Sequence, residues 1–183
     1  MPLYELALTN REVLLLFRNM VSGWFSGAEE DYNDFIRALL KGNLKEMNAY
    51  MNRVALTMFS YFDTGKKSSG TTEPERFYHG FVLGLMVDLA GRYVITSNRE
   101  SGFGRYDVML EPSHTDTDDA IIIEFKVREK DEENSLQDTA HSALQQIEDK
   151  CYAQVLMAKG IREEHIRKYG FAFEGKKVLI DGV

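Results

Sequence analysis

A single cysteine among 183 residues sets the first limit on what this chain can be. Cys151 cannot close an internal disulfide, so a disulfide-stapled secreted scaffold is excluded and a core thiol in a reducing cytoplasm is expected. No apolar run approaches the roughly 18 residues that a membrane span needs. The amino terminus lacks a basic segment followed by an apolar stretch and a small-residue cleavage site, so no secretory signal is expected. Paired Cys and His at zinc-binding spacing are missing. So is a Gly-rich loop ending in Lys-Ser/Thr that would cradle nucleotide phosphates. There is no internal repeat and no low-complexity tract. Positive charge is also in short supply: the net charge is -7, which argues against a protein that coats nucleic acid nonspecifically. That deficit is local. Positions 111–133 hold nine acids against three bases, a balance of -6 that leaves the rest of the chain at -1. A nucleic-acid partner is therefore still allowed, with weak binding that fades as salt rises.

What is present is a globular composition, 44% hydrophobic and 28% charged, in a length that suits one domain or a core domain with an added helical layer. Apolar spacing predicts helices over 9–25, 30–41 and 44–62, followed by a polar loop over 63–72. That loop marks the expected boundary between a helical amino-terminal subdomain, 1–72, and a second part, 73–183. Pro74 opens a further helix to about 89. Strands are predicted over 93–97, 105–111 and 120–127, then one long helix over 136–159 closed by Gly160, with Cys151 inside it. A helical turn over 163–168 precedes strands at 170–173 and 177–180. Short connections make the first three strands an antiparallel meander, and the long helix is a crossover to a parallel neighbour. The expected fold is α/β, a mixed central sheet flanked by helices.

The chemistry concentrates in GRYDVML (104–110) and AIIIEFKV (120–127). Residues two apart on a strand share a face. Glu124 and Lys126 thus project together, with Ile123, Phe125 and Val127 opposite, and Asp107 stands apart from Tyr106, Val108 and Leu110. If these strands are neighbours, two carboxylates and an ammonium converge. Hard cations such as Mg²⁺ are held by one or two carboxylates with water and phosphate, so the set points to phosphodiester hydrolysis. The bland alternative is a Glu124–Lys126 salt bridge on an exposed face.

Other residues carry weaker signals. Arg99 and Arg105 flank Gly102 and Gly104 and could grip phosphate, or pair with Glu100 and Glu111. Gln146 and Lys150 share one helix face. His79, in an apolar helix, reads as a satisfied core histidine. The run Asp116-Thr117-Asp118-Asp119 lacks the remaining ligands of a calcium loop and reads as solvated.

Taken in order, FYHGFVLGL (77–85), SNRESGFGRYDV (97–108), IIIEFKV (121–127) and ALQQIEDKCY (143–152) resemble the PD-(D/E)XK nuclease superfamily. The nearest likeness is to the nuclease domain found behind AAA-type ATPase-like domains in bacterial proteins. Tyr106 stands where the superfamily's nominal motif has proline. The resemblance implies a restriction-endonuclease-like core, αβββαβ, and a metal-dependent nuclease acting on DNA. It implies Mg²⁺, with Mn²⁺ able to substitute, held by Asp107, Glu124 and the Phe125 carbonyl. It gives Lys126 the attacking water or the developing charge, and Glu75 the role of the superfamily's helix acid, against simple helix N-terminal electrostatics. It places Gln146 beside the metal or phosphate, with Tyr152 and Lys150 as phosphate contacts, against a plain polar helix border. An ATPase-like domain or a second copy of the chain is an implied partner. The rival expectation is a catalytically silent interaction module on the same fold, and a third is a phosphoesterase acting on RNA or a small nucleotide.

Overall fold

The computed structural model describes residues 29–58, 72–101 and 103–182, with side chains described over 34–57, 77–100 and 103–182. The helix expected over 9–25, the last four residues of the helix expected over 44–62, all but Thr72 of the loop expected over 63–72, Gly102 and the Glu75 side chain lie outside the described residues.

Alternating apolar segments build a five-stranded mixed sheet in the order β1-β2-β3-β4-β5. The strands are β1 (Tyr93–Ser101), β2 (Gly104–Pro112), β3 (Ala120–Val127), β4 (Ile166–Glu174) and β5 (Lys177–Gly182). β1, β2 and β3 form the antiparallel meander, β3 and β4 are parallel, and β4 and β5 close a hairpin. One face is covered by α1 (Glu29–Lys41), α2 (Leu44–Met58) and α3 (Thr72–Leu85). Phe35, Leu39, Met47 and Met51 of α1 and α2 share a single core with Val108, Ile123, Phe125 and Phe171 of the sheet. Tyr78 of α3 stacks on Phe173, centroids 3.8 Å apart. The other face is covered by α4 (Leu136–Asp149) and α5 (Gln154–Met157). Ile147, Tyr152 and Leu156 pack there on Met109, Ala120 and Ile122. The expected α/β sheet with helices on both faces is the fold.

β5 is an edge strand, and an open edge invites pairing with another chain. Two asparagines one turn apart on α2 close it. Asn48 donates to Ile180 O at 2.8 Å and accepts from Ile180 N at 2.8 Å. Asn52 does the same with Val178, at 2.7 and 3.0 Å. Each side-chain amide acts as a rung of a sixth strand. Replacing either with alanine orphans a backbone pair, so a loss of roughly 1–3 kcal/mol per asparagine is expected in urea unfolding.

The long helix expected over 136–159 is two helices. α4 ends at Asp149 because Cys151 takes a left-handed conformation, φ 55°. Cys151 N donates to Glu148 O at 2.9 Å and Tyr152 N to Ile147 O at 3.2 Å, the paired bonds of a Schellman ending. Apolar periodicity continued past the break and hid it. Cys151 is half-exposed rather than a core thiol. Glycine is the usual residue at such a position, so Cys151→Gly is expected to stabilise by about 1 kcal/mol in thermal unfolding.

Candidate active site

Asp107 sits where the β2–β3 ladder stops. The ladder joins Val108 to Ile123, Met109 to Ile122 and Leu110 to Ile121. One step further, the Phe125 N–H is taken by Asp107 Oδ2 at 2.8 Å, so a carboxylate replaces a rung. The β1–β2 ladder is interrupted at the same level: it pairs Ser97 with Val108 and Arg99 with Tyr106, and Asn98 between them adopts φ 53°. Asparagine is among the few residues that tolerate this conformation. Beyond the interruption Tyr106 departs from the expected alternation. It packs edge-on to Tyr152 on the α4 side, whereas Val108 and Leu110 face the opposite core.

Glu124, 4% exposed, is on the α4 face of β3. Gln146 Nε2 donates to its Oε1, which fixes the carboxylate from the helix above. That contact depends on how closely α4 lies against the sheet. Gly170 of β4 is the direct neighbour of Glu124. A Cβ at 170 would collide with the Ala140 carbonyl and reach within 3.1 Å of Ala143 Cβ and 3.2 Å of Leu144 Cγ. A glycine inside a strand signals close backbone approach. Reading 170 only as the start of a strand missed it; β4 begins at Ile166.

Lys126 is half-buried and lines an open groove of about 540 Å³ along α4, together with Gln146, Lys150 and His141. The next two bases on the chain are committed elsewhere: Arg128 and Lys130 pair with Glu174 at 3.0 and 2.9 Å. Those hydrogen bonds, Lys130 first, hold the Glu174 carboxyl below the usual range. Among the described residues Lys126 enters no ion pair, so the Glu124–Lys126 bridge does not form. Burial pushes the Asp107 carboxyl above its ordinary range, opposed by the Phe125 N–H and the Lys126 charge. Tyr152 is raised by burial too, and by the charges of Glu124 and Asp107, against a hydrogen bond with Gln146.

The remaining expected residues divide. Lys150 is exposed on the groove, and Arg99 and Arg105 are exposed on β1 and β2. The carboxylate of Glu111 pairs with Lys159, which leaves it engaged away from Arg105. Tyr152 is 1% exposed and donates its hydroxyl to Arg105 O at 2.7 Å, tying β2 to the end of α4. Glu75 lies on α3. His79 is hydrogen-bonded to Ser97 Oγ at 2.8 Å and tilted over Phe125, a satisfied histidine. Asp118 is buried against Arg92, with Arg92 Nε donating to Oδ2 at 2.8 Å, so this part of the acidic loop is not solvated as expected.

Among the described residues no group of three or more His, Cys, Asp or Glu is placed to hold a metal. A buried acid, Glu124, and a half-buried one, Asp107, on neighbouring strands nevertheless suit a hard cation that keeps several waters. Holding a carboxylate away from water without a counter-ion is costly, and the upward push that burial gives Asp107 reflects that cost.

A mixed sheet between helices, with acidic residues and a lysine on its central strands, defines a restriction-endonuclease-like α/β protein. A family model described as the PD-(D/E)XK nuclease superfamily matches residues 73–182, and the chain belongs to that superfamily. No curated protein and no solved structure gives a significant match.

Proposed function

We propose that this chain is a metal-dependent nuclease that hydrolyses phosphodiester bonds in DNA. The observation that carries the reading is that Asp107 bonds the N–H next to Glu124 while Gln146, which lines a groove with Lys126, bonds Glu124 itself. Asp107 and Glu124 would hold Mg²⁺, with Mn²⁺ able to substitute. When bound, the cation would offset phosphate charge and lower the pKa of a water that serves as nucleophile. The Phe125 N–H holds Asp107 at the residue next to Glu124, and Gln146 donates to Glu124. Lys126, in no ion pair among the described residues, would steady the attacking water or charge developing on the phosphoryl oxygens. Lys150, Arg99 and Arg105 would contact flanking phosphates, and Glu75 would assist from α3. Tyr152 serves this reading by positioning β2.

In this reading the chain divides into a helical part, 1–72, and a nuclease core, 73–183, with α1 and α2 of the former completing the sheet's core. An ATPase-like domain or a second copy would be its partner, and the cytoplasm its compartment. Among the described residues no helix is long and apolar enough to cross a membrane.

The test is incubation with end-labelled single-stranded, duplex and branched DNA, and with RNA, in Mg²⁺, Mn²⁺ or a chelator. Cation-dependent cleavage of DNA supports the proposal. Cleavage confined to RNA would move the substrate. No cleavage by folded protein on any substrate would favour a silent interaction module, a reading to which the net charge of -7 gives some support.

A further inference from the structure

We propose that Phe103 is a stacking platform for one unpaired base of single-stranded DNA lying next to the bond to be cut. This rests on the nuclease reading of the groove and adds its substrate class. Phe103 is 77% exposed, more than Leu56, Val94, Val87 or Met157, the other large apolar side chains left open to solvent among the described residues. An aromatic ring so exposed has no part in the core. Its backbone, however, is held. Phe103 N donates to Lys150 O at 3.0 Å, which docks the β1–β2 turn onto the end of α4. The next residue, Gly104, lies so close to that end that a Cβ would be 3.1 Å from Tyr152 Oη and 3.2 Å from Lys150 Cδ. Tyr152 Oη then donates to Arg105 O at 2.7 Å. Three successive residues of the chain are thus clamped while one ring is presented to solvent.

The surroundings say what the ring would meet. Lys150 touches this turn and also lines the groove with Lys126 and Gln146, and Gln146 holds Glu124. Arg105 is exposed on β2, two residues after Phe103 and two before Asp107. An exposed ring on a turn that also carries exposed Arg105 and abuts Lys150 matches a strand whose phosphates run along cations while one base stacks. Such a contact contributes about 1–3 kcal/mol per base and needs a base free of its duplex neighbours. Duplex DNA keeps its bases stacked within the helix and cannot offer one without fraying. Single-stranded or frayed DNA is therefore the substrate this rim fits.

Anisotropy of a short labelled single strand and of a blunt duplex of the same sequence, with divalent cations chelated, tests this for wild type, Phe103→Ala and Phe103→Trp. Phe103→Ala is expected to weaken single-strand binding by about 5- to 100-fold and leave duplex binding unchanged. Phe103→Trp should retain binding, with indole fluorescence quenched on adding the strand. Equal binding by wild type and Phe103→Ala, equal loss on both DNAs, or no single-strand binding by wild type overturns the proposal. Adding Mg²⁺ to the same samples separates the two readings. Stacking without cleavage defeats the catalytic reading alone, and cleavage with Phe103→Ala unaltered defeats the stacking alone.

Discussion

Glu124→Gln is expected to lower cation-dependent cleavage by about 10³-fold or more while leaving the protein folded. The substitution preserves shape and removes one buried negative charge, so the loss falls on charge stabilisation, for which several kcal/mol is the usual scale. Burial at 4% exposure predicts unchanged or slightly higher thermal stability, because an ionised side chain is replaced by a neutral one. Its neighbours should give a graded series in the same assay. Lys126→Met removes a donor for developing charge, worth roughly 10²- to 10³-fold. Gln146→Ala removes only the group that orients Glu124, and a loss of about 10- to 100-fold is expected. Equal losses for Glu124 and Gln146, or full activity in Glu124→Gln, would contradict the roles assigned to them.

Gly170→Ala is expected to be among the most destabilising single changes in the chain. The new methyl group meets a backbone carbonyl, that of Ala140, and carbonyls inside a helix cannot rotate away as a side chain can. α4 must move as a body, or β4 must bend. Overpacking of this kind costs about 3 kcal/mol, and for a chain of this size that lowers Tm by roughly 6–12 °C. The same displacement lifts Gln146 from Glu124, because Gly170 is the β4 neighbour of Glu124. Protein kept folded at low temperature should therefore lose activity about as far as Gln146→Ala does. An unchanged Tm would mean that α4 is not seated on Gly170.

Much of this architecture was legible because it follows from period. The alternation in 120–127 identified β3 and sent Glu124 and Lys126 to the face opposite Phe125, and that face is the one α4 covers. The meander and the parallel crossover followed from connection lengths. What could not be read were features set by backbone conformation and by tertiary approach. A left-handed Cys151 breaks a run whose apolar spacing continues, because periodicity reports side-chain placement and not φ. Asn98 interrupts the β1–β2 ladder for the same reason, and Tyr106 changes side as a consequence. Gly170 carried a signal, an isolated glycine among aromatic residues, but only the packed helix explains why glycine is needed there. Asn48 and Asn52 looked like polar positions on a helix. Their purpose exists only once β5 lies beside them.

Everything chemical proposed for this chain depends on Asp107 and Glu124 sharing one divalent cation, and calorimetric titration of Mn²⁺ into the folded protein tests that directly. Wild type is expected to bind one ion at this site, and Asp107→Asn or Glu124→Gln to weaken it by at least about tenfold. The same binding in wild type and both variants would place the cation elsewhere, and no binding by wild type would remove the metal from these two carboxylates altogether.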